Sequence, residues 1–271
     1  MRGRIACTVA EAHLGLINRF NRVTARLAGA KVSPRRSAGP ILSLCFDDFP
    51  KSAWERGGAI LEEHSAKATY YAAGRFCGKT IDGLAYYDRA DLAELAAAGH
   101  EIGCHTFSHK HPNRISSAEL KDDCARNRQF LAENLEQTDF PSFAYPYGEV
   151  SVRVKAVAAR RYATARGIWS GVNTSPLDLA LLKAMPLESR SWSTAAMERL
   201  AAEAARTRGW LILFTHDVSD EPSAYGCTPW MLTRALEIAA RHGLETLPVG
   251  VAARRLLAAN EPARPVLDRA A

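Results

Sequence analysis

Two adjacent carboxylates, Asp47 and Asp48, end the apolar run Leu42-Ser43-Leu44-Cys45-Phe46. Strand geometry would send them to opposite faces, whereas a turn would let them converge. Paired carboxylates repel, so the pair calls for a metal, a proton or an arginine beside it. A plainer reading is a polar strand exit in which an Asp caps the next helix. His105 and His109 lie four residues apart, a spacing that puts two imidazoles on one side of a helical turn, where they can share a metal. Together with Asp48 they would form a two-His, one-carboxylate set, which suits a divalent ion with positions open to water and substrate. His111 is nearby and out of phase; it reads as a surface residue, or as a ligand in place of His109. His216 and Asp217 follow a third apolar run, Trp210 to Thr215.

These residues need elements that bring them together. The chain alternates apolar runs with Ala/Leu-rich amphipathic stretches. Strands are expected at 41–46, 68–74, 100–105, 143–145, 162–165, 181–187, 210–215 and 244–249. Helices are expected at 54–65, 88–98, 116–135, 150–161, 193–208 and 228–242, and Ser116 with Glu119 forms a capping-box pattern. About seven strand–helix repeats imply a parallel sheet with helices outside, open or closed into a (β/α) barrel. No GxGxxG follows the first strand, which argues against a dinucleotide fold. In a barrel all these strands end on one face, where active sites are built.

Composition narrows the class. The chain has 271 residues, 47% of them hydrophobic, and a net charge of +6. Residues 1–36 hold eight Lys/Arg against the single acid Glu11, a net +7, so the remainder is −1 and shows no nucleic-acid surface. Residues 1–40 read as a basic helical extension and Pro/Ser/Gly linker, 41–255 as the barrel and 256–271 as a tail. A basic amphipathic helix at 8–29 either weakly touches an anionic membrane or a neighbouring subunit, or packs on the outside of the barrel. No run approaches the ~18 apolar residues of a transmembrane helix, and Glu11, His13, Asn18 and Arg19 interrupt any signal-peptide core. The six cysteines lack CxxC spacing. Reduced thiols and a cytoplasmic location are the expectation.

Four motifs, in order, resemble those of the polysaccharide deacetylase family, carbohydrate esterase family 4 with the NodB homology domain. They are Phe46-Asp47-Asp48, the run His100 to His109, Phe143-Ala144-Tyr145-Pro146-Tyr147-Gly148, and Leu211 to His216. The resemblance covers roughly residues 41 to 250 and implies a distorted (β/α) barrel of about seven parallel strands with outer helices. It implies removal of an N-acetyl group from an N-acetylated sugar or glycan. Asp48, His105 and His109 would hold one divalent metal, Zn²⁺ or else Co²⁺, Mn²⁺ or Ni²⁺. Asp47 would be the base that activates water, the Tyr147 N–H an oxyanion donor, and His216 the acid. Tyr147 and Trp169 are expected to stack on sugar. The chain departs from the pattern at Phe49, where a Gly is usual, and at Ala144, where an arginine usually orients the base. Arg166 is the expected substitute for that arginine and Arg190 the next candidate. The motif that places an Asp near the acid histidine is not recognisable. A hydrolase of another non-peptide C–N bond and an inactive glycan-binding barrel are the alternatives.

Overall fold

The computed structural model describes residues 17–33 and 39–258. Most of the expected linker, residues 1–16 of the extension and the end of the tail lie outside the described residues. The core is an eight-stranded, wholly parallel sheet. Seven strands run in the order Met185–Pro186, Trp210–Thr215, Ile41–Asp47, Thr69–Ala72, Glu101–Cys104, Ser142–Ala144, Thr164–Arg166. Ile41–Asp47 is central and buried throughout. One of its edges pairs with Trp210–Thr215 along its length. The other takes Glu245–Thr246 at its start and Thr69–Tyr71 at its end. Strands buried on both faces need apolar side chains throughout, which is why these runs do not alternate.

The sheet curls so that its two ends approach each other. Arg166 on the last strand meets Leu182, just before Met185–Pro186, through an isolated parallel bridge. This is the distorted (β/α) barrel expected from the sequence, with helices packed outside it. The capping box at Ser116 forms as predicted: Ser116 Oγ accepts from the Glu119 N–H at 3.1 Å, and Glu119 Oε2 accepts from the Ser116 N–H at 2.8 Å.

Several boundaries differ from the sequence reading. The helix expected at 54–65 is two, Lys51–Glu55 and Gly57–Glu63, broken at Arg56. Gly57 packs so closely on Phe46 and Val218 that a side chain would press against both. The expected strand 181–187 shrinks to Met185–Pro186, because Leu179 and Leu182 spend their backbone groups on Ala165 and Gly167 instead. The barrel also runs past residue 255. A final helix, Val249–Ala258, buries Val249, Ala252, Ala253 and Leu256, an i, i+3, i+4, i+7 stripe.

The basic extension packs on the barrel. A helix at residues 17–27 lies against helix Val152–Arg161. The buried Lys155 donates to the Ala25 and Ala28 carbonyls at 2.6 and 2.7 Å and pairs with Asp178 at 2.5 Å. Lysine thereby satisfies the carbonyls that a helix C-terminus leaves open.

Candidate active site

Every residue singled out for chemistry lies at or a few residues beyond the C-terminal end of a sheet strand. Asp47 is the last residue of Ile41–Asp47, and Asp48 follows with φ 58°. That left-handed residue breaks the strand's alternation, so the two carboxylates meet the same group of side chains. Asp48 Oδ1 lies 3.5 Å from His105 Nε2 and 3.2 Å from His109 Nε2, and Asp48 Oδ2 lies 3.8 Å from His216 Nε2.

The two histidines do converge, but not on a helical turn. Residues 105–111 form an irregular loop, and Thr106 and His109 adopt φ 60° and 47°. The loop is fixed from outside by Asp123, which accepts from the Ser108 N–H at 3.0 Å, and from within by the His109 N–H, which donates to Thr106 Oγ1 at 3.2 Å. Of the eight non-glycine residues with positive φ among those described, Asp48, Phe49, Thr106, His109 and Tyr147 flank this one place. Local backbone strain concentrates where a site is shaped.

A metal fits the donor set. Ligand atoms of Asp48, His105 and His109 lie within 4.8 Å of one another. Asp48 Oδ1 is buried and accepts no hydrogen bond, an arrangement that is costly unless a cation is at hand. His105 Nδ1 lies 2.8 Å from the Ala144 carbonyl. A carbonyl only accepts, so Nδ1 carries the hydrogen and the Nε2 lone pair faces Asp48, as metal ligation requires. Burial and the neighbouring His105 and His216 hold the His109 imidazole down to about 2, so it stays neutral. Burial raises the Asp48 carboxyl above its usual range, against His105 and His216.

Asp47 is partnered by a cation. The Arg166 guanidinium donates to Asp47 Oδ1, and both side chains are buried. The guanidinium sits over the Tyr71 and Phe214 rings, 5.0 and 4.8 Å from their centroids. Gly103 lets the Tyr71 ring approach, since a Cβ there would lie 2.5 Å from it. In the sheet register Arg166 stands directly opposite Ala144. The cation expected on one strand has moved to its neighbour, and a methyl group faces it across the ladder. Burial alone would raise the Asp47 carboxyl, but Arg166, helped by His105 and His216, holds it below the usual carboxylate range. Arg190 is engaged elsewhere, with Glu188 at 2.7 Å and over the Tyr225 ring.

Next to Asp48, His216 Nδ1 donates to the Tyr225 carbonyl at 3.3 Å. Asp217 is buried beneath this loop and accepts from the Ser223 N–H and hydroxyl at 2.8 and 2.5 Å. A backbone carbonyl thus orients the imidazole where the resembled family uses an Asp. The rim is aromatic. Tyr147, half exposed and left-handed at φ 57°, stacks on His111 at 3.9 Å and lies 4.5 Å from the His109 ring. His111 is held by Glu149 at 3.0 Å and is not brought into the Asp48 group. Trp169 lies apart: Arg26 covers its ring at 4.4 Å, and it packs on the cluster around Tyr145 and Val150.

Sequence reasoning missed Tyr71, Phe214 and the two orienting carbonyls of Ala144 and Tyr225. Tyr71 is the register partner of Asp47, so aligning the first two strands would have found it. Carbonyls leave no trace in residue type.

The family model described as Polysaccharide deacetylase matches residues 35–165. This segment belongs to the polysaccharide deacetylase family. Among solved structures the chain is similar to a family 4 carbohydrate esterase from Streptomyces lividans in complex with acetate, at 20% identity over 78% of this chain and 93% of that one, TM-score 0.55. It is similar to a family 4 acetyl xylan esterase from Clostridium thermocellum in complex with a cobalt ion, at 20% identity over 78% and 89%, TM-score 0.55. It is also similar to a family 4 pseudoenzyme from Bacillus anthracis, at 16% identity over 82% and 69%, TM-score 0.53. These likenesses establish the polysaccharide-deacetylase fold. No curated protein matches the sequence. Among the described residues no helix is long and apolar enough to cross a membrane.

Proposed function

We propose that the protein is a metal-dependent hydrolase that removes the acetyl group from an N-acetylated sugar or glycan. The observation that carries this reading is the sequence of groups across the strand ends. Asp47 with its buried arginine adjoins the Asp48/His105/His109 set, and His216 Nε2 approaches the same Asp48 at 3.8 Å.

Asp48, His105 and His109 would hold the ion, Zn²⁺ or a similar divalent cation. When bound there, such an ion supplies Lewis acidity toward an amide carbonyl and toward water. Asp47, kept ionised by Arg166, accepts the proton of the attacking water as the new C–O bond forms. His216, anchored through Nδ1 to Tyr225, donates a proton from Nε2 to the amine as the C–N bond breaks. Acetate and a free amine leave. The Tyr147 N–H is placed in this scheme as a donor to the developing oxyanion, and the exposed Tyr147 ring as a platform for sugar.

The test is release of acetate and amine from N-acetylated oligosaccharides by metal-loaded protein, with metal content measured alongside. Equal release of the two, lost with chelator and in Asp47→Asn, supports the reading. Protein that takes up no metal with all three ligands intact overturns it. Ammonia or another carboxylate in place of acetate would assign a different C–N bond. A barrel that binds glycan without turnover is the second reading, favoured by Ala144. The Arg166–Asp47 contact weighs against it, because the base still has its cation.

A further inference from the structure

The helix at residues 17–27 is turned the wrong way for an ordinary surface helix. Its inward side is held by polar contacts. Lys155 binds the carbonyls of Ala25 and Ala28, and Asn18 donates to Glu149 at 2.8 Å and accepts from Asn113 at 3.0 Å. Its outward side is apolar: Ile17, Phe20, Val23 and Leu27 are 44%, 68%, 46% and 82% exposed. Spacings of three and four residues place them on one stripe. A docked helix normally buries such a stripe, so one left exposed by the described residues points to something beyond them.

Charge selects the occupant. Arg19, Arg22 and Arg26 belong to the same helix, and residues 1–36 carry the +7 while the rest of the chain is −1. A second copy would bring +7 against +7. A purely electrostatic polyanion would leave the Phe20 and Leu27 side chains in water. An anionic lipid surface satisfies both properties, since headgroups meet the arginines and the acyl boundary takes the stripe.

We propose that the helix at 17–27 is an interfacial anchor that seats the barrel on an anionic membrane surface. Through Asn18, Glu149 and His111 the anchor is joined to Tyr147 at the rim of the site. The membrane contact and the site mouth are therefore neighbours.

The test is co-sedimentation of the full chain with vesicles of phosphatidylglycerol mixed into phosphatidylcholine, against vesicles of phosphatidylcholine alone. Partition into the anionic vesicles should be about tenfold higher or more and should fall with added salt. The double variant Phe20→Glu, Leu27→Glu should lower it by about tenfold or more while the melting temperature stays unchanged, because both side chains are exposed. Equal partition into both vesicles, none into either, or an unaffected double variant overturns the proposal. So does a concentration-dependent dimer that the double variant dissolves, which would make the stripe a homodimer seam. His216→Asn, which should keep its fold while losing turnover, should partition as wild type, so this outcome is independent of whether the barrel deacetylates anything.

Discussion

The two flanks of the Asp48 group are built differently. On the Asp47 side everything is closed: the carboxylate, the Arg166 guanidinium and the Tyr71 and Phe214 rings around it are buried. On the His216 side the imidazole is partly exposed, and its anchor is the carbonyl of Tyr225, a residue whose ring is half in solvent. A base that must remain ionised benefits from a permanent, buried counter-charge, and arginine does not deprotonate. An acid that must be reloaded with a proton each turnover benefits from contact with water. In the proposed reaction the closed flank would hold the base charged, and the open flank would give the acid access to water.

Breaking the closed flank should have the largest effect. Asp47→Asn should lower kcat by about 10³-fold. It should also cost about 3–5 kcal/mol of stability, because Arg166 is left charged and buried without its partner. Kinetics and thermal melts on the same preparation check both. Arg166→Met should cost a similar amount of stability, from the other side of the pair. Asp47 would then feel burial without its main opposing charge, so its pKa rises and the acid limb of the kcat/KM profile moves to higher pH. The double variant should be less destabilised than the sum of the two singles, which a thermodynamic cycle reads directly.

Wild type should follow the opposite sign. The Asp47 carboxyl is held low in the folded state, so the pair's contribution is complete above the ordinary carboxylate range. It is lost only as pH falls through the lower folded-state value. Melting temperature against pH should show this drop in wild type and not in Arg166→Met.

The open flank should respond differently. His216→Asn should lower kcat by about 10²-fold, with metal content unchanged and stability altered by no more than about 0.5 kcal/mol. A stability loss as large as that of Asp47→Asn would erase the contrast between the flanks. The smallest effect is expected at the rim. Tyr147→Ala removes one aromatic contact worth about 1 kcal/mol and should raise KM a few-fold with kcat little changed, measured on an N-acetylated oligosaccharide.

Much of this was legible from residue types. Apolar runs that end in Asp47, His105, Tyr145 and His216 locate the strands and the face on which they finish. The spacing of His105 and His109 correctly associates them, yet for a reason the sequence does not display. The pair meets through left-handed residues and an outside clamp from Asp123, not through helical periodicity. Arg166 was reachable only through an absence, the alanine at 144, and its partnership with Asp47 depends on two strands lying side by side in a particular register. Trp169 illustrates the converse. An aromatic of the right kind lies near the right strand in sequence, yet it is covered by Arg26 from the extension, a contact between distant parts of the chain. Short edge strands such as Met185–Pro186 were over-read because apolar residues line that segment whether or not its backbone joins the ladder.

The contact between His105 and Ala144 has a consequence for mutational scanning. The atom that fixes the histidine's tautomer is a main-chain oxygen, and every amino acid carries one. A scan of position 144 will report steric tolerance and nothing about proton placement. Ala144→Gly and Ala144→Ser should both leave the imidazole as it is. The side chain here can change while the imidazole's tautomer stays the same, because this part of the site is written in backbone geometry and not in side-chain type.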